Sequence, residues 1–288
     1  MGPLLAIVAA VFFALGTVLQ QKGTLSTEAS EGDPHFLLQI LHRPVWLAGA
    51  ILMAAGWILQ AMALDRASLM VVQSLTALSL VIALPLGALL TAQHIGRREL
   101  GGAMLTSLGI IFFIAAGQPQ GGTNHPSSTS WWIACITIAV LVVALVVVGV
   151  RFSGAARALT FGAAAGLGFG LQAAVTKTFV TEVGSGVLAL LSGWSAWVLI
   201  LSALTGFALQ QSALKTGVLA PAMASANSVT LFTSVVLGIT VYDEQISKGG
   251  TGHSSSAYLG LIVAIVGIAM LAGSDAPEPN APHPSPAT

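Results

Sequence analysis

The sequence predicts an all-α, polytopic membrane protein with about nine transmembrane helices. Charged residues make up only 7% of the 288 residues, hydrophobic residues make up 55%, and mean hydropathy is +0.89. A soluble domain carries roughly a quarter charged residues, so lipid must solvate most of this surface. The apolar runs are about 20 residues long, which is enough for a helix to cross the hydrocarbon layer. The short apolar alternation of β-barrel strands is absent from the sequence.

The charged residues separate the apolar runs and so set the bounds of the predicted helices. A tenth helix stays open as an alternative, if residues 36–43 or 186–193 enter the membrane. Residues 274–288 are rich in Pro and polar residues, so they are predicted to form a disordered cytoplasmic tail. The predicted spans are 3–22, 44–64, 68–91, 99–117, 131–150, 157–180, 194–212, 217–240 and 256–273.

Lysine and arginine predict the orientation, because cytoplasmic loops of membrane proteins carry an excess of both. With nine helices and the N-terminus outside, Arg66, Lys177 and Lys248 lie outside and the other seven lie inside. We therefore predict a multi-pass protein of the cell inner (plasma) membrane with a cytoplasmic C-terminus. The seven inside residues are Lys22, Arg43, Arg97, Arg98, Arg151, Arg157 and Lys215.

An internal repeat is indicated by matches between the two halves of the chain. A shift of 150 residues places Gln60 on Gln210, and a shift of 155 places Lys22 on Lys177. The run at 131–150 has no counterpart. One linking helix between two four-helix repeats makes the second repeat enter from the opposite side, as in many secondary transporters. The predicted division is a first repeat at 1–117, a linking region at 118–156 and a second repeat at 157–273.

Polar side chains concentrate in equivalent predicted helices, and polar groups within a membrane often mark a solute pathway. Their expected roles are hydrogen bonding and, for the lysines, attraction of an anionic group or gating. Two alternatives stay open, which are bonding between neighbouring helices for the uncharged residues and snorkelling to the interface for the lysines. The candidate pathway residues are Gln20, Lys22, Gln60, Gln73, Gln172, Lys177, Gln210, Ser225, Asn227 and Ser228.

Small residues at four-residue spacing predict close helix packing, because they let two backbones approach each other. Gly162, Gly166 and Gly170 carry this spacing in the sixth predicted span. We expect these three glycines to pack against another helix rather than to contact a solute.

The acidic residues fall at predicted span ends or in loops, and this placement limits the chemistry. No span interior holds an Asp or Glu, which argues against a carboxylate proton relay and against a dehydrated Mg²⁺ site. A single cysteine, Cys135, lacks the spacing of a metal site. We therefore expect no metal site and no cofactor. The residues at span ends are Asp65, Glu99, Glu182, Asp243 and Glu244.

Five short segments carry a resemblance to a known family: Phe13–Gly23, Pro44–Gly49, Gln60–Leu69, Gly217–Pro221 and Tyr242–Gln245. With these segments the chain resembles the drug/metabolite transporter superfamily (EamA-like), most closely its NIPA-like magnesium transporter branch. The resemblance implies a carrier of nine or ten helices with a central cavity between its halves. That branch tends to place a Glu in the second helix, where this chain has Gly56 to Gln60.

The leading functional hypothesis is a secondary transporter that moves a small polar solute or metabolite by alternating access. The alternatives are a NIPA-like transporter of magnesium or another divalent cation, and a scaffold protein that transports nothing. An enzyme is not expected, because the six histidines lie in loops or the tail, and Ser192–Gly193 has no His partner in a span. Zero net charge gives no indication of a nucleic-acid partner. The expected partners are the lipid bilayer and the solute, and a homodimer stays open.

Overall fold

The computed structural model describes residues 1–25, 43–91, 96–119, 122–123, 125–182, 193–214, 216, 219–246 and 250–272. These residues form helices joined by short connections, and no β-strand occurs among them, so the all-α prediction is confirmed for this part of the chain. The helices are α1 (Gly2–Leu25), α2 (Pro44–Leu64), α3 (Leu69–Thr76), α4 (Leu78–Thr91), α5 (Arg97–Gly117), α6 (Ser128–Gly149), α7 (Gly154–Glu182), α8 (Trp194–Leu214), α9 (Leu219–Thr240) and α10 (Gly250–Ala272).

Each predicted span overlaps a helix, and the main difference is that span 68–91 is two helices, α3 and α4. The interruption is at Ala77, just after Thr76, whose hydroxyl donates to the carbonyl of Gln73. A threonine that bonds back to its own helix tends to bend that helix. Pro85 does not interrupt the chain, because it lies inside the continuous helix α4. The predicted tail and most of 36–43 and 186–193 lie outside the described residues.

Length and composition make the described helices suited to a membrane. Six spans are long and apolar enough to cross one, and three apolar stretches are shorter. Large apolar side chains of α6 are exposed, among them Trp132, Ile133 and Val140, as expected for a lipid-facing surface. The six spans are Gly2–Gln20, Pro44–Leu64, Leu69–Leu90, Leu100–Gly117, Ser128–Gly149 and Ala156–Glu182; the shorter stretches are Trp194–Gln210, Ser225–Thr240 and Ser254–Met270.

Small residues bring helix backbones together in antiparallel pairs. In the α1–α2 pair, a Cβ placed on Gly49 would lie 2.7 Å from the carbonyl oxygen of Gly16. In the α5–α10 pair, a Cβ placed on Gly260 would lie 2.6 Å from the backbone nitrogen of Phe113. Larger residues at these glycines would separate the helices, so the sequence needs glycine there.

Helix α7 is the most enclosed of the six spans, and α9 runs parallel to it. Gly162, Gly166 and Gly170 lie against α9, where a Cβ on Gly166 would meet the Ala226 carbonyl oxygen at 2.5 Å and one on Gly170 would meet Thr233 Cβ at 2.6 Å. Helix α8 packs antiparallel on another side of α7. In the same way, α1 packs on α2 and on the α3–α4 pair.

The helix directions give the bundle two chemically different ends. At one end, called here the ion-pair end, the buried apolar cluster includes Ala6, Ala63, Leu69, Val175 and Tyr242. The opposite end, called here the basic end, holds six of the eight Lys and Arg residues that the structure describes. Those six are Lys22, Arg43, Arg97, Arg98, Arg151 and Arg157; the other two, Arg66 and Lys177, belong to the ion-pair end.

Candidate functional site

A buried ion pair joins Lys177 of α7 to Glu244, which follows the end of α9. The Lys177 Nζ lies 2.7 Å from Glu244 Oε1, and the side chains are 6% and 0% exposed. It is the one ion pair within the part of the chain that the structure describes. Because removing two charges from water is costly, such a pair persists only with good geometry and further hydrogen bonds.

The backbone after α9 turns Glu244 back into the bundle. Asp243 takes a left-handed conformation (φ 53°) and stays exposed, while the Glu244 N–H donates to the carbonyl of Gly238 at 2.9 Å. Gly238 leaves room for the carboxylate, since a Cβ there would lie 2.7 Å from Glu244 Oε2. This tight turn buries the second of two consecutive acidic residues and leaves the first at the surface.

The Glu244 carboxylate also caps the N-terminus of α3. The backbone N–H of Leu69 donates to Oε1 and that of Met70 donates to Oε2, the latter at 2.9 Å. The Ser68 hydroxyl accepts from the Val71 N–H at 3.3 Å. The first N–H groups of a helix have no partner inside the helix, and its N-terminus favours negative charge. One carboxylate therefore satisfies two backbone donors and the Lys177 ammonium together.

Aromatic side chains enclose the ion pair. The Tyr242 hydroxyl donates to the Ala174 carbonyl at 2.6 Å and lies 2.7 Å from the Thr178 hydroxyl. The Lys177 Nζ lies 4.6 Å from the centre of the Tyr242 ring, a favourable cation–π distance. Trp131 of α6 meets the same ring edge-on at 5.9 Å between centroids. Burial raises the pKa of the Tyr242 hydroxyl, so this group stays neutral and keeps its proton.

The arrangement connects helices that are distant in sequence. Glu244 is 175 residues from Leu69 and 67 residues from Lys177, so one side chain holds α3, α7 and the end of α9 together. Its carboxylate is occupied by these donors. The described residues contain no group of three or more His, Cys, Asp or Glu that could hold a metal ion. As arranged, the cluster is suited to holding helices together rather than to binding a cation.

The candidate pathway residues do not converge on this cluster as a set. Lys177 is in it, and Gln73 lies one helical turn along α3 from Leu69. Lys22 is exposed at the basic end of α1. The remaining candidates are half-buried on α1, α2, α7, α8 and α9: Gln20, Gln60, Gln172, Gln210, Ser225, Asn227 and Ser228.

Sequence reasoning missed Glu244, Tyr242 and Trp131 as parts of one site. The sequence predicts correctly that Glu244 follows the end of a span. Such a position usually indicates a solvated residue, but the turn after α9 buries Glu244. One signal was available. A lysine predicted within a helix needs a counter-charge, which indicates that an acidic partner exists but not which of the acidic residues at span ends it is.

The fold and the site together define a class: a bundle of apolar helices that fits a membrane, tied at one end by a buried ion pair. Within it, the chain belongs to the family of an uncharacterized protein of Corynebacterium glutamicum, to which it is 32% identical over 255 residues, 84% of either chain. No family model matches the sequence, and no solved structure matches it.

Proposed function

We propose that the protein is a secondary transporter that moves a small polar solute or metabolite across the cell inner (plasma) membrane by alternating access. The observation that carries this proposal is the Lys177–Glu244 pair, which holds α3 against α7 and α9 at the ion-pair end. No ion pair occurs at the basic end among the described residues. When a few polar contacts hold the helices together at one end of a bundle, the bundle can open at that end and close at the other.

The packing of the helices supports two inverted repeats. Helix α1 packs on α2 and α3–α4, and α7 packs on α8 and α9, so each group is built around its first helix. Helix α6 lies between the groups in sequence and is the least buried span. We propose that α3–α4 acts as one span, so that the chain crosses nine times and forms inverted repeats at 1–117 and 157–273, as in many secondary transporters.

The distribution of charge supports the proposed orientation. Six of the eight described Lys and Arg residues lie at the basic end, which is cytoplasmic by the positive-inside rule. Helix α1 begins at the ion-pair end and α10 ends at the basic end. The N-terminus is then outside and the C-terminus is cytoplasmic.

The drug/metabolite transporter superfamily remains our proposed relationship, and the magnesium and scaffold functions remain the alternatives. For magnesium, the Glu244 carboxylate already bonds to Lys177 and to two backbone donors and gives no support to a dehydrated site, so the ion would have to pass hydrated. For a scaffold, nothing would require the helices to separate at the ion-pair end.

Purified protein in liposomes tests the proposal by uptake of a panel of radiolabelled polyols, sugars, amino acids, organic acids and Mg²⁺. We expect saturable uptake of at least one polar solute. Uptake of Mg²⁺ alone would favour the cation alternative, and no uptake of any solute would contradict transport.

Cross-linking tests the alternating-access part. The Met70 side chain approaches Gly238, where an added Cβ would lie 2.9 Å from Met70 Cγ. In a Cys135→Ser background, which removes the one native cysteine, Met70→Cys with Gly238→Cys should form a disulfide between α3 and α9. We expect oxidation to stop transport and a reductant to restore it to the level of the single variant Gly238→Cys, because a side chain at this position also meets the Glu244 carboxylate. Met70→Cys alone is the second control. Full transport by the cross-linked protein would show that this end does not open.

A further inference from the structure

A layer of buried polar groups lies between α3, α7 and α9, next to the ion-pair cluster. Gln73 Nε2 and Ser74 Oγ on α3, and Thr233 Oγ1 and Ser234 Oγ on α9, have no hydrogen-bond partner among the described residues. These four side chains are 5%, 1%, 5% and 0% exposed. Buried polar groups in native proteins are almost always hydrogen-bonded, so four without partners require an explanation.

The positions of the four side chains follow from the packing of α3 and α9. These helices are antiparallel, because the start of α3 and the end of α9 both lie at the ion-pair end, where Met70 contacts Gly238. Ser74 and Ser234 each lie one turn farther into the bundle, about 6 Å along the helix axes. Both therefore lie at the same depth, on the faces that carry the Met70–Gly238 contact.

The other two groups lie at nearly the same depth. Thr233 precedes Ser234 and packs on α7. A Cβ placed on Gly170 of α7 would lie 2.6 Å from the Thr233 Cβ. Gln73 is one turn beyond Leu69, whose N–H binds the carboxylate that also holds Lys177. The four groups on α3 and α9 thus lie at one depth, and Thr233 brings this layer against α7.

Other buried hydroxyls of this protein have partners, and several of them bond to their own helix. Thr106 donates to the Gly102 carbonyl at 2.8 Å, and Ser202 donates to the Leu199 carbonyl at 3.1 Å. Thr230, one turn before Ser234, donates to the Ala226 carbonyl at 2.7 Å. Ser and Thr in helices commonly satisfy themselves in this way. Ser74, Thr233 and Ser234 do not, so their donors remain available to a bound molecule.

The layer contains no charged side chain, and the nearby charges of Lys177 and Glu244 neutralise each other. An ion placed there would lose its hydration without a counter-charge, which is strongly unfavourable. A solute with several hydroxyls would suit the layer, because each hydroxyl both donates and accepts. From this geometry we infer that the layer binds a small uncharged polyhydroxyl solute. The inference rests on the proposed transport function and names the class of its substrate.

Stopped-flow light scattering on proteoliposomes tests this inference, with glycerol and erythritol as probes and choline chloride and potassium glutamate as charged comparisons. We expect the wild-type protein to accelerate polyol entry and not the entry of either salt. Ser74→Ala and Ser234→Ala should each slow polyol entry about tenfold, as expected for one lost hydrogen bond. Thr106→Val, which removes a hydroxyl already bonded within α5, should leave entry unchanged.

The thermal midpoint separates a binding role from a folding role. Removing a buried hydroxyl without a partner should leave the midpoint of Ser74→Ala and Ser234→Ala at or above that of the wild-type protein. Slow polyol entry with an unchanged midpoint supports the site. A lowered midpoint would show that these hydroxyls are bonded structural groups and would overturn the inference.

The remaining outcomes also decide between explanations. Entry of a charged solute without polyol entry overturns the inference and leaves the proposed transport function standing. Acceleration of water alone shows that the layer holds water and likewise overturns the polyol assignment. No flux of any probe, here or in the wider uptake panel, contradicts both proposals.

Discussion

Lys22 and Lys177 occupy similar positions in sequence and very different ones in the structure. Each lies near the end of the first helix of its group, α1 or α7. Lys22 is exposed at the basic end, whereas Lys177 is buried and bonded to Glu244 under the Tyr242 ring. An internal match in sequence therefore does not fix the environment of a charge. The environment is set by what the neighbouring elements supply, and for α7 these supply the Glu244 carboxylate.

The largest expected effect comes from removing one charge of the pair. Lys177→Met leaves the Glu244 carboxylate buried without its counter-charge, so the free energy of unfolding should fall by about 3–5 kcal/mol. Lys22→Met, the matched control, should change it by no more than about 0.5 kcal/mol. Thermal denaturation of the purified variants in detergent measures both.

The double variant Lys177→Met with Glu244→Gln separates the effect of an unpaired charge from the loss of the lysine itself. It removes both charges and keeps an amide oxygen that can accept from the α3 backbone, so it should be more stable than Lys177→Met alone. An equal fall in the free energy of unfolding for Lys22→Met and Lys177→Met would contradict the difference in environment between the two lysines.

A smaller effect is expected from filling the space that the carboxylate uses. In Gly238→Ala, the new Cβ would lie 2.7 Å from Glu244 Oε2 and 2.9 Å from Met70 Cγ, so we expect a loss of about 1–3 kcal/mol. Gly101→Ala is the control, because its Cβ would meet only Met270 Cε, at 3.7 Å. Thermal denaturation should find Gly101→Ala neutral or slightly stabilised. A neutral Gly238→Ala would show that the turn after α9 adapts.

Removing the Tyr242 hydroxyl should have a still smaller effect. Tyr242→Phe loses the hydrogen bonds to Ala174 and Thr178 and keeps the ring beside Lys177, so about 1 kcal/mol should be lost. The sequence has one other tyrosine, Tyr258, which is 44% exposed. Its replacement by Phe should leave the thermal midpoint unchanged. A midpoint that moves equally in both variants would argue against the assigned bonds.

The smallest effect concerns pH. Because burial raises the pKa of Tyr242 in the folded protein, the folded state holds this proton more tightly than the unfolded chain. The resulting stability is fully present below pH about 10, the ordinary pKa of the group, and declines as pH rises beyond it. Thermal midpoints measured across this range should fall less steeply for Tyr242→Phe than for the wild-type protein. Identical slopes would contradict the assignment.

Hydropathy was enough to locate the helices, because the free energy of placing side chains in lipid is encoded locally along the chain. The break at Ala77 was not predicted, since it coincides with a single threonine hydroxyl and no proline. The partner of Lys177 could not be chosen from the sequence. The choice depends on which helix ends meet in space, and Glu244 lies in a turn that normally indicates a solvated residue.

The cap on α3 has a consequence for how the protein is made. Leu69 and Met70 are synthesised long before Glu244, which lies 175 residues after Leu69. Until α9 and the turn after it have formed, two backbone donors of α3 and the Lys177 ammonium lack this acceptor. The core of the bundle therefore closes only after α9 and this turn have been synthesised. A chain truncated after α8 should remain open to degradation.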